Sequence, residues 1–292
     1  MGTENEKAAY KGLVAFDLDN TLLDHNTWKI PDSALAGIRL LKRAHYLVVI
    51  ASGRNMHDRN SSQYLEIIRP DALVHMNGTR VEIGEETIRD HQMDREILQR
   101  LLDYASKHTL AVGVRIGETD YFTYPEKVIE HDLKYWGKSE RNFGDPCQLL
   151  KLQVRALAYA GGKDGADELQ HAFPELQVLM FSKETGADIF EKGFSKADGI
   201  AVLCEHFGIP MEKTFAFGDS HNDREMLEKI QVGIAMGNAV PEIREVADYI
   251  TDDIDQDGIY NALKHFGLIN GEEAKSFVST PEPYAAGIVS GT

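Results

Sequence analysis

The chain has 292 residues, 42 % hydrophobic and 27 % charged, a balance that suits one large or two ordinary globular domains and excludes a largely disordered, collagen-like or membrane-spanning chain. Its 31 Lys and Arg against 47 Asp and Glu leave a formal net charge of −16, a field that repels a polyphosphate backbone and argues against a nucleic-acid partner. The two cysteines, Cys147 and Cys204, are far apart and lack C-x-x-C spacing, so neither a disulfide framework nor a zinc knuckle is indicated and a reducing compartment fits.

The opening MGTENEKAAYKG has no apolar h-region, and runs such as YLVVIA are too short to span a bilayer, so a cytoplasmic protein without membrane attachment is expected. Residues 13–17, LVAFD, read as a strand, followed by a turn and a helix from Ser33 with Leu35, Ile38, Leu40 and Leu41 on one face. YLVVIA (46–51) is a second strand; the loop SGRN, a helix to about Ile68 and the strand DALVHM follow. The middle, residues 84–187, changes character. An amphipathic helix over MDREILQRLLDYASKH precedes longer strands in LAVGVRIG, DYFTY, LLKLQVRALAYA and LQVLMFS, which reads as an inserted α+β module. Beyond it the alternation resumes: a helix over AVLCEHFGI, the strand TFAFGD, a helix over NDREMLEKI, the strand VGIAM and a last helix before Gly267. The expected fold class is therefore α/β, a doubly wound parallel sheet built from 1–83 and 188–269, with 84–187 inserted and 270–292 a loosely held tail.

In an open α/β sheet, ligands bind beyond the carboxyl ends of the strands, so polar residues that directly follow apolar strands are site candidates. Four loops qualify: Asp17-Leu18-Asp19-Asn20-Thr21, Ser52-Gly53-Arg54, Lys196 in GFSKADGI, and Gly218 to Asp223 in GDSHND. Each has an ordinary alternative when taken alone: an Asx turn, a helix N-cap, a solvated lysine, or an acid at a helix N-terminus. Together they say more. If both ends of the chain share one domain, Asp17, Asp19, Asp219 and Asp223 converge on one rim, and carboxylates that close together need a cation to stay ionised. All-oxygen ligands suit Mg²⁺ better than zinc.

DLDNT, ASGR, the Lys of GFSKADGI and GDSHND, in this order and spacing, resemble the four motifs of the haloacid dehalogenase (HAD) superfamily. MNGT (76–79), GNAVPEIREVADYIT and DGIYNAL resemble its Cof-like phosphatase branch, and the likeness extends from residue 12 to about 268. The resemblance implies a Rossmann-like core and a mobile α/β cap in the insertion, hinged near Gly84 and Gly186. It makes Asp17 the nucleophile, and Asp19 the residue that protonates the leaving oxygen and then activates water, its backbone carbonyl reaching Mg²⁺. Thr21 buttresses the loop; Ser52, Gly53 and Lys196 hold phosphoryl oxygens, with Arg54 adding positive charge; Asn222 orients phosphate or Lys196. Asp17, Asp19, Asp219 and Asp223 form the metal set, Asp223 as direct ligand or one step removed. Asn20 stands where many members have Gly.

The expected activity is that of a cytosolic Mg²⁺-dependent phosphatase acting on a small phosphorylated metabolite, a sugar phosphate above all, through an aspartyl phosphate. The alternatives are a phosphosugar mutase and a non-catalytic phospholigand-binding protein. Oligomeric state is not legible in the sequence.

Overall fold

The computed structural model describes residues 10–181 and 183–270, so all but the first residue of the expected 270–292 tail lies outside the described residues. In chain order the first layer holds β1 (Gly12–Phe16), α1 (Asp32–Arg43), β2 (Tyr46–Ala51), α2 (Ser62–Ile68), β3 (Ala72–His75), β4 (Arg80–Ile83) and β5 (Glu86–Asp90). A second layer holds α3 (Arg95–Lys107), β6 (Val112–Ile116), β7 (Thr119–Phe122), α4 (Pro125–Trp136), β8 (Leu157–Ala160), α5 (Lys163–Ala172), β9 (Leu176–Met180) and β10 (Gly186–Glu191). The chain then returns to the first layer with α6 (Lys196–Phe207), β11 (Thr214–Gly218), α7 (Arg224–Lys229), β12 (Val232–Ala235), α8 (Pro241–Arg244), β13 (Tyr249–Ile250) and α9 (Gly258–His265).

The first sheet runs β13-β12-β11-β1-β2-β3-β4-β5 and is parallel from β13 to β3. Its central strands are apolar throughout because both faces are covered. Val14, Phe16, Val48 and Ile50 pack beneath α1 and α9 with Leu35, Ile38, Leu41 and Leu263. Their alternates Leu13, Ala15, Leu47 and Val49 meet Ile200, Leu203, Met226 and Leu227 of α6 and α7 on the opposite face. One face is therefore covered by the first and last helices of the chain and the other by α6 and α7. Because β1 has β2 on one side and β11 on the other, the two halves wind outward from it, which opens a crevice at its carboxyl end.

The second sheet, β7-β6-β8-β10-β9, is antiparallel in the pairs it forms. Leu98, Leu101 and Leu102 of α3 and Leu169 of α5 cover one face. Asp94 caps α3 by accepting from the N–H groups of Glu96 and Ile97.

Sheet membership moves the expected boundaries. β5 lies within the inserted range 84–187 yet pairs with β4 in the first sheet, and β10 runs past 187 yet pairs with β8 and β9 in the second. Gly84 (φ +59°) is the left-handed residue of the β4–β5 hairpin turn, and Gly186 opens β10, so neither sits where the chain changes layer. The crossings are residues 91–94 and 192–195, held side by side by a His91–Glu191 contact and by His91 stacking on Phe194 at 4.1 Å. LLKLQVRALAYA also differs from expectation. Asp145 caps a 3-10 turn over Pro146–Lys151 by accepting the Cys147 N–H, and only Leu157–Ala160 remains as strand.

Candidate active site

β1 ends at Phe16, and the next residue, Asp17, donates its backbone N–H to Phe217 O of β11 at 3.0 Å, which fixes its carboxylate over the crevice. β11 ends at Gly218, which puts Asp219 beside it. α6 supplies the counter-charge: Ser195 caps it by accepting the Asp198 N–H, so Lys196 is its first helical residue. The Lys196 ammonium, fully buried, lies 2.6 Å from Asp17 Oδ1 and 2.7 Å from Asp223 Oδ1. Asp223 Oδ2 in turn accepts the N–H groups of Asp219 and Ser220, each at 3.0 Å, and Thr21 Oγ1 donates to Asp219 Oδ1 at 3.4 Å.

One ammonium thus faces three buried carboxylates, Asp17, Asp219 and Asp223, with oxygens within 4.8 Å of one another. Burial, reinforced by Asp223 and Asp19 and opposed by Lys196, pushes Asp17 up to about 7. Burial also drives Asp219 well above the usual carboxylate range, with Asp17 and Asp223 adding to the shift. For Lys196 burial works the other way, but the two carboxylates outweigh it and hold the ammonium charged. The residual negative charge and hard oxygen donors fit a divalent cation, which lowers these carboxylates again on binding.

Asp19 stands outside this trio. Its carboxylate takes both Arg54 Nε (2.7 Å) and Nη2 (2.6 Å), and His25 Nε2 lies 2.6 Å from Oδ1. Burial alone would raise its pKa, but His25 and Arg54 hold it well below the usual carboxylate range. Arg54, expected to add positive charge for phosphate, therefore spends its fork on Asp19. Asn20 adopts φ +58°, a left-handed conformation that glycine takes freely and asparagine tolerates.

A third group closes the crevice from the second layer. Asp188 on β10 accepts from Asn77 Nδ2 at 2.8 Å, and Asn222 Nδ2 donates to Asn77 Oδ1 at 3.3 Å. A Cβ on Gly53 would sit 2.5 Å from Asp188 Oδ2, so glycine is what permits this approach. Gly78 (φ +87°) similarly lets the MNGT loop meet the backbone of Ser195, where a Cβ would lie 2.0 Å from the carbonyl oxygen. Ser52 Oγ accepts the Arg54 N–H at 3.1 Å and holds that loop in shape. Asn222 is placed against Asn77, and no hydrogen bond to Lys196 is among its contacts in the described residues. Sequence reasoning missed His25, Asn77 and Asp188 as members of the site. Asn77 had a signal, an Asn-Gly directly after a strand; Asp188 had none, since it sits mid-strand and acts only through the second layer.

His57, His75 and Glu82 also bring possible ligand atoms within 4.8 Å. His75 Nδ1 accepts the Met56 N–H at 3.3 Å, which leaves its proton on Nε2 and removes the lone pair a cation needs. The trio is a structural brace: His57 Nε2 lies 2.5 Å from Glu82 Oε2, and Glu82 Oε1 pairs with Arg80 Nη2 at 2.5 Å. Among the described residues Cys147 and Cys204 are free thiols, and no helix is long and apolar enough to cross a membrane.

Comparison with known proteins bears on the fold and the family. The family of haloacid dehalogenase-like hydrolases matches residues 14–263. A Bacillus subtilis protein named as a phosphatase, YkrA, is 31 % identical over 260 residues, covering 88 % of this chain and 98 % of its own. The HMP-PP phosphatase of Citrobacter koseri is 29 % identical over 237 residues, covering 79 % and 86 %. Among solved structures, a sugar phosphatase of HAD subclass IIB superposes with a TM-score of 0.79 at 27 % identity, covering 88 % of this chain and all of the other. With its buried carboxylate trio around one lysine at the carboxyl ends of β1 and β11, this chain belongs to the haloacid dehalogenase-like hydrolases, Cof type, and is a phosphatase.

Proposed function

We propose that this phosphatase hydrolyses a small phosphorylated metabolite, a sugar phosphate above all, with Mg²⁺ and through an aspartyl phosphate on Asp17. The observation that carries the reading is the division of labour between two acids with one residue between them: Asp17 points to Lys196, and Asp19 is turned away to Arg54 and His25. Asp17 Oδ attacks phosphorus, the P–O bond to the leaving group breaks, and the leaving oxygen takes a proton from Asp19. Asp19, ionised again, removes a proton from water as it attacks the same phosphorus, which releases inorganic phosphate and restores Asp17. Splitting one slow displacement into two in this way is the advantage of a covalent nucleophile. Ser52, the Gly53 backbone and Lys196 hold the phosphoryl oxygens, while Thr21 and Asp223 keep Asp219 and Lys196 in place. Asp17, the Asp19 carbonyl and Asp219 would hold Mg²⁺, which would supply charge neutralisation for the phosphoryl oxygens.

The second layer acts as a cap that excludes water when Asp188 is seated over Gly53 and opens for release, turning on residues 91–94 and 192–195. A compact capped crevice favours small molecules over phosphoproteins, and the two free cysteines suit the reducing cytoplasm. The test is phosphate release from a panel of sugar phosphates, nucleotides and phosphopeptides, with and without Mg²⁺, with products checked for isomerised sugar phosphate. Release from at least one sugar phosphate, above any phosphopeptide, is expected; an isomer without phosphate would make the chain a mutase.

A further inference from the structure

A cleft of about 240 Å³ opens between the loop after β2 and strand β6, lined by Arg54, Asn55, Asp58, Arg59 and Arg115 among others. Arg54 is held by Asp19, which leaves two guanidinium groups, those of Arg59 and Arg115, beside the Asp58 carboxylate. Burial pushes Asp58 up to about 6, with Arg115 opposing the shift, so even that charge is a reluctant one. Glu118 reaches Arg59 at 3.5 Å and Arg115 at 3.7 Å, but its side chain is 70 % exposed, and long contacts of this kind are exchanged for a better-placed anion at little cost. Guanidinium forks match carboxylate and phosphate oxygens in pairs, which a lysine cannot do.

The position of the cleft gives it a purpose. Arg54 lines it and also grips Asp19, the acid beside the leaving oxygen in the mechanism above, so a leaving group departing past Asp19 enters a space walled by Arg59 and Arg115. Arg59 belongs to the first layer and Arg115 to β6 of the second, so an anion between them also ties the layers together. The volume falls below the roughly 300–1,000 Å³ typical of drug-sized ligand sites, which suits a compact charged group better than a ring system.

We infer that the substrate carries a second anionic group, carboxylate or phosphate, besides the transferred phosphoryl group, and that Arg59 and Arg115 bind it. This rests on the phosphatase reading and narrows its substrate class.

Two matched pairs test it on the full chain with Mg²⁺: glucose 6-phosphate against 6-phosphogluconate, and fructose 6-phosphate against fructose 1,6-bisphosphate. The first pair adds a carboxylate and the second a phosphate. p-Nitrophenyl phosphate reports whether the enzyme hydrolyses monoesters at all. In at least one pair kcat/KM is expected to favour the doubly anionic member by about tenfold, as charge-assisted hydrogen bonds warrant, and Arg115→Gln should lower that ratio about fivefold through KM. Arg115→Lys should retain part of it. Arg59→Gln is the second variant should Arg115→Gln fail to fold, and calorimetric binding of the same pairs to Asp17→Asn reads the preference without turnover. Ratios near one in both turnover and binding, or a ratio that the arginine variants leave unchanged, overturn the inference while p-nitrophenyl phosphate hydrolysis leaves the phosphatase reading standing. Binding preference without hydrolysis of any of the five compounds does the reverse.

Discussion

Arg54 holds Asp19 through two hydrogen bonds, Nε to Oδ2 at 2.7 Å and Nη2 to Oδ1 at 2.6 Å. Together with His25 this keeps Asp19 ionised, the form that accepts a proton from water, whereas donating a proton to a leaving group requires the contacts to loosen. Arg54→Gln is expected to raise the Asp19 pKa and shift the acid limb of the kcat–pH profile up by about one unit. Because a depressed carboxylate pKa contributes stability that is lost as pH falls, the variant should also lose less stability on acidification than the wild type. An unmoved acid limb would detach Asp19 from the base step.

Asp17→Asn should abolish phosphate release, by at least about a thousandfold, since an amide is nearly isosteric with the carboxylate but a poor nucleophile. Its effect on folding should be the opposite of damage. Burial pushes Asp17 up to about 7, so its charge is unfavourable without a cation. The metal-free variant is therefore expected to melt at or above the wild-type temperature at pH 8. Substantial turnover in this variant would falsify the covalent route.

Mg²⁺ should stabilise the protein more at pH 8 than at pH 5. Asp17 and Asp219 have raised pKa values in the folded state, so the folded chain holds more protons than the unfolded one and apoprotein stability falls as pH rises through about 4 to 7. A cation that replaces those protons gains most where they are gone. Thermal midpoints with and without millimolar Mg²⁺ measure this directly, and Asp219→Ala should erase most of the gain. Equal gains at both pH values would argue that the trio does not hold the ion.

Gly53→Ala puts a methyl carbon 2.5 Å from Asp188 Oδ2, so the second layer must shift before the site can close. We expect kcat/KM to fall by about ten- to a hundredfold, as small misplacements of reacting groups do, with the thermal midpoint nearly unchanged because the clash is relieved by moving one layer and not by unfolding either. Asp188→Ala in the Gly53→Ala background removes the atom in the way. A double variant no better than either single one in closing, read by protection of residues 186–191 from hydrogen exchange, would mean that this contact does not control closure.

Much of the site was legible because three of its residues each follow a strand that is apolar on both faces. LVAF, YLVVIA and TFAF announce themselves as buried, and the polar residue after each must lie at a carboxyl end: Asp17, Ser52 and Asp219. The hairpin of β4 and β5 was not legible. Its sequence RVEIGEETIRD mixes charged and apolar residues because β5 is an exposed edge strand, and such a run carries little periodicity. That is also why a boundary at 84 looked natural, although the first sheet continues to Asp90.

By itself the sequence determined which residue types stand at the ends of buried strands and that, if both ends of the chain share one domain, Asp17 and Asp219 come to one rim, because strand–helix alternation turns the strands parallel and their carboxyl ends to the same edge. Only the tertiary structure decided how their charges are shared. Lys196 went to Asp17 and Asp223, Arg54 to Asp19, and Asp188 crossed from the second layer to Asn77, pairings that join residues between 27 and 179 positions apart. Ion pairs of this kind depend on distances of a few ångströms between side chains, and local sequence pattern fixes backbone period and burial but not which of several nearby acids a buried cation will meet.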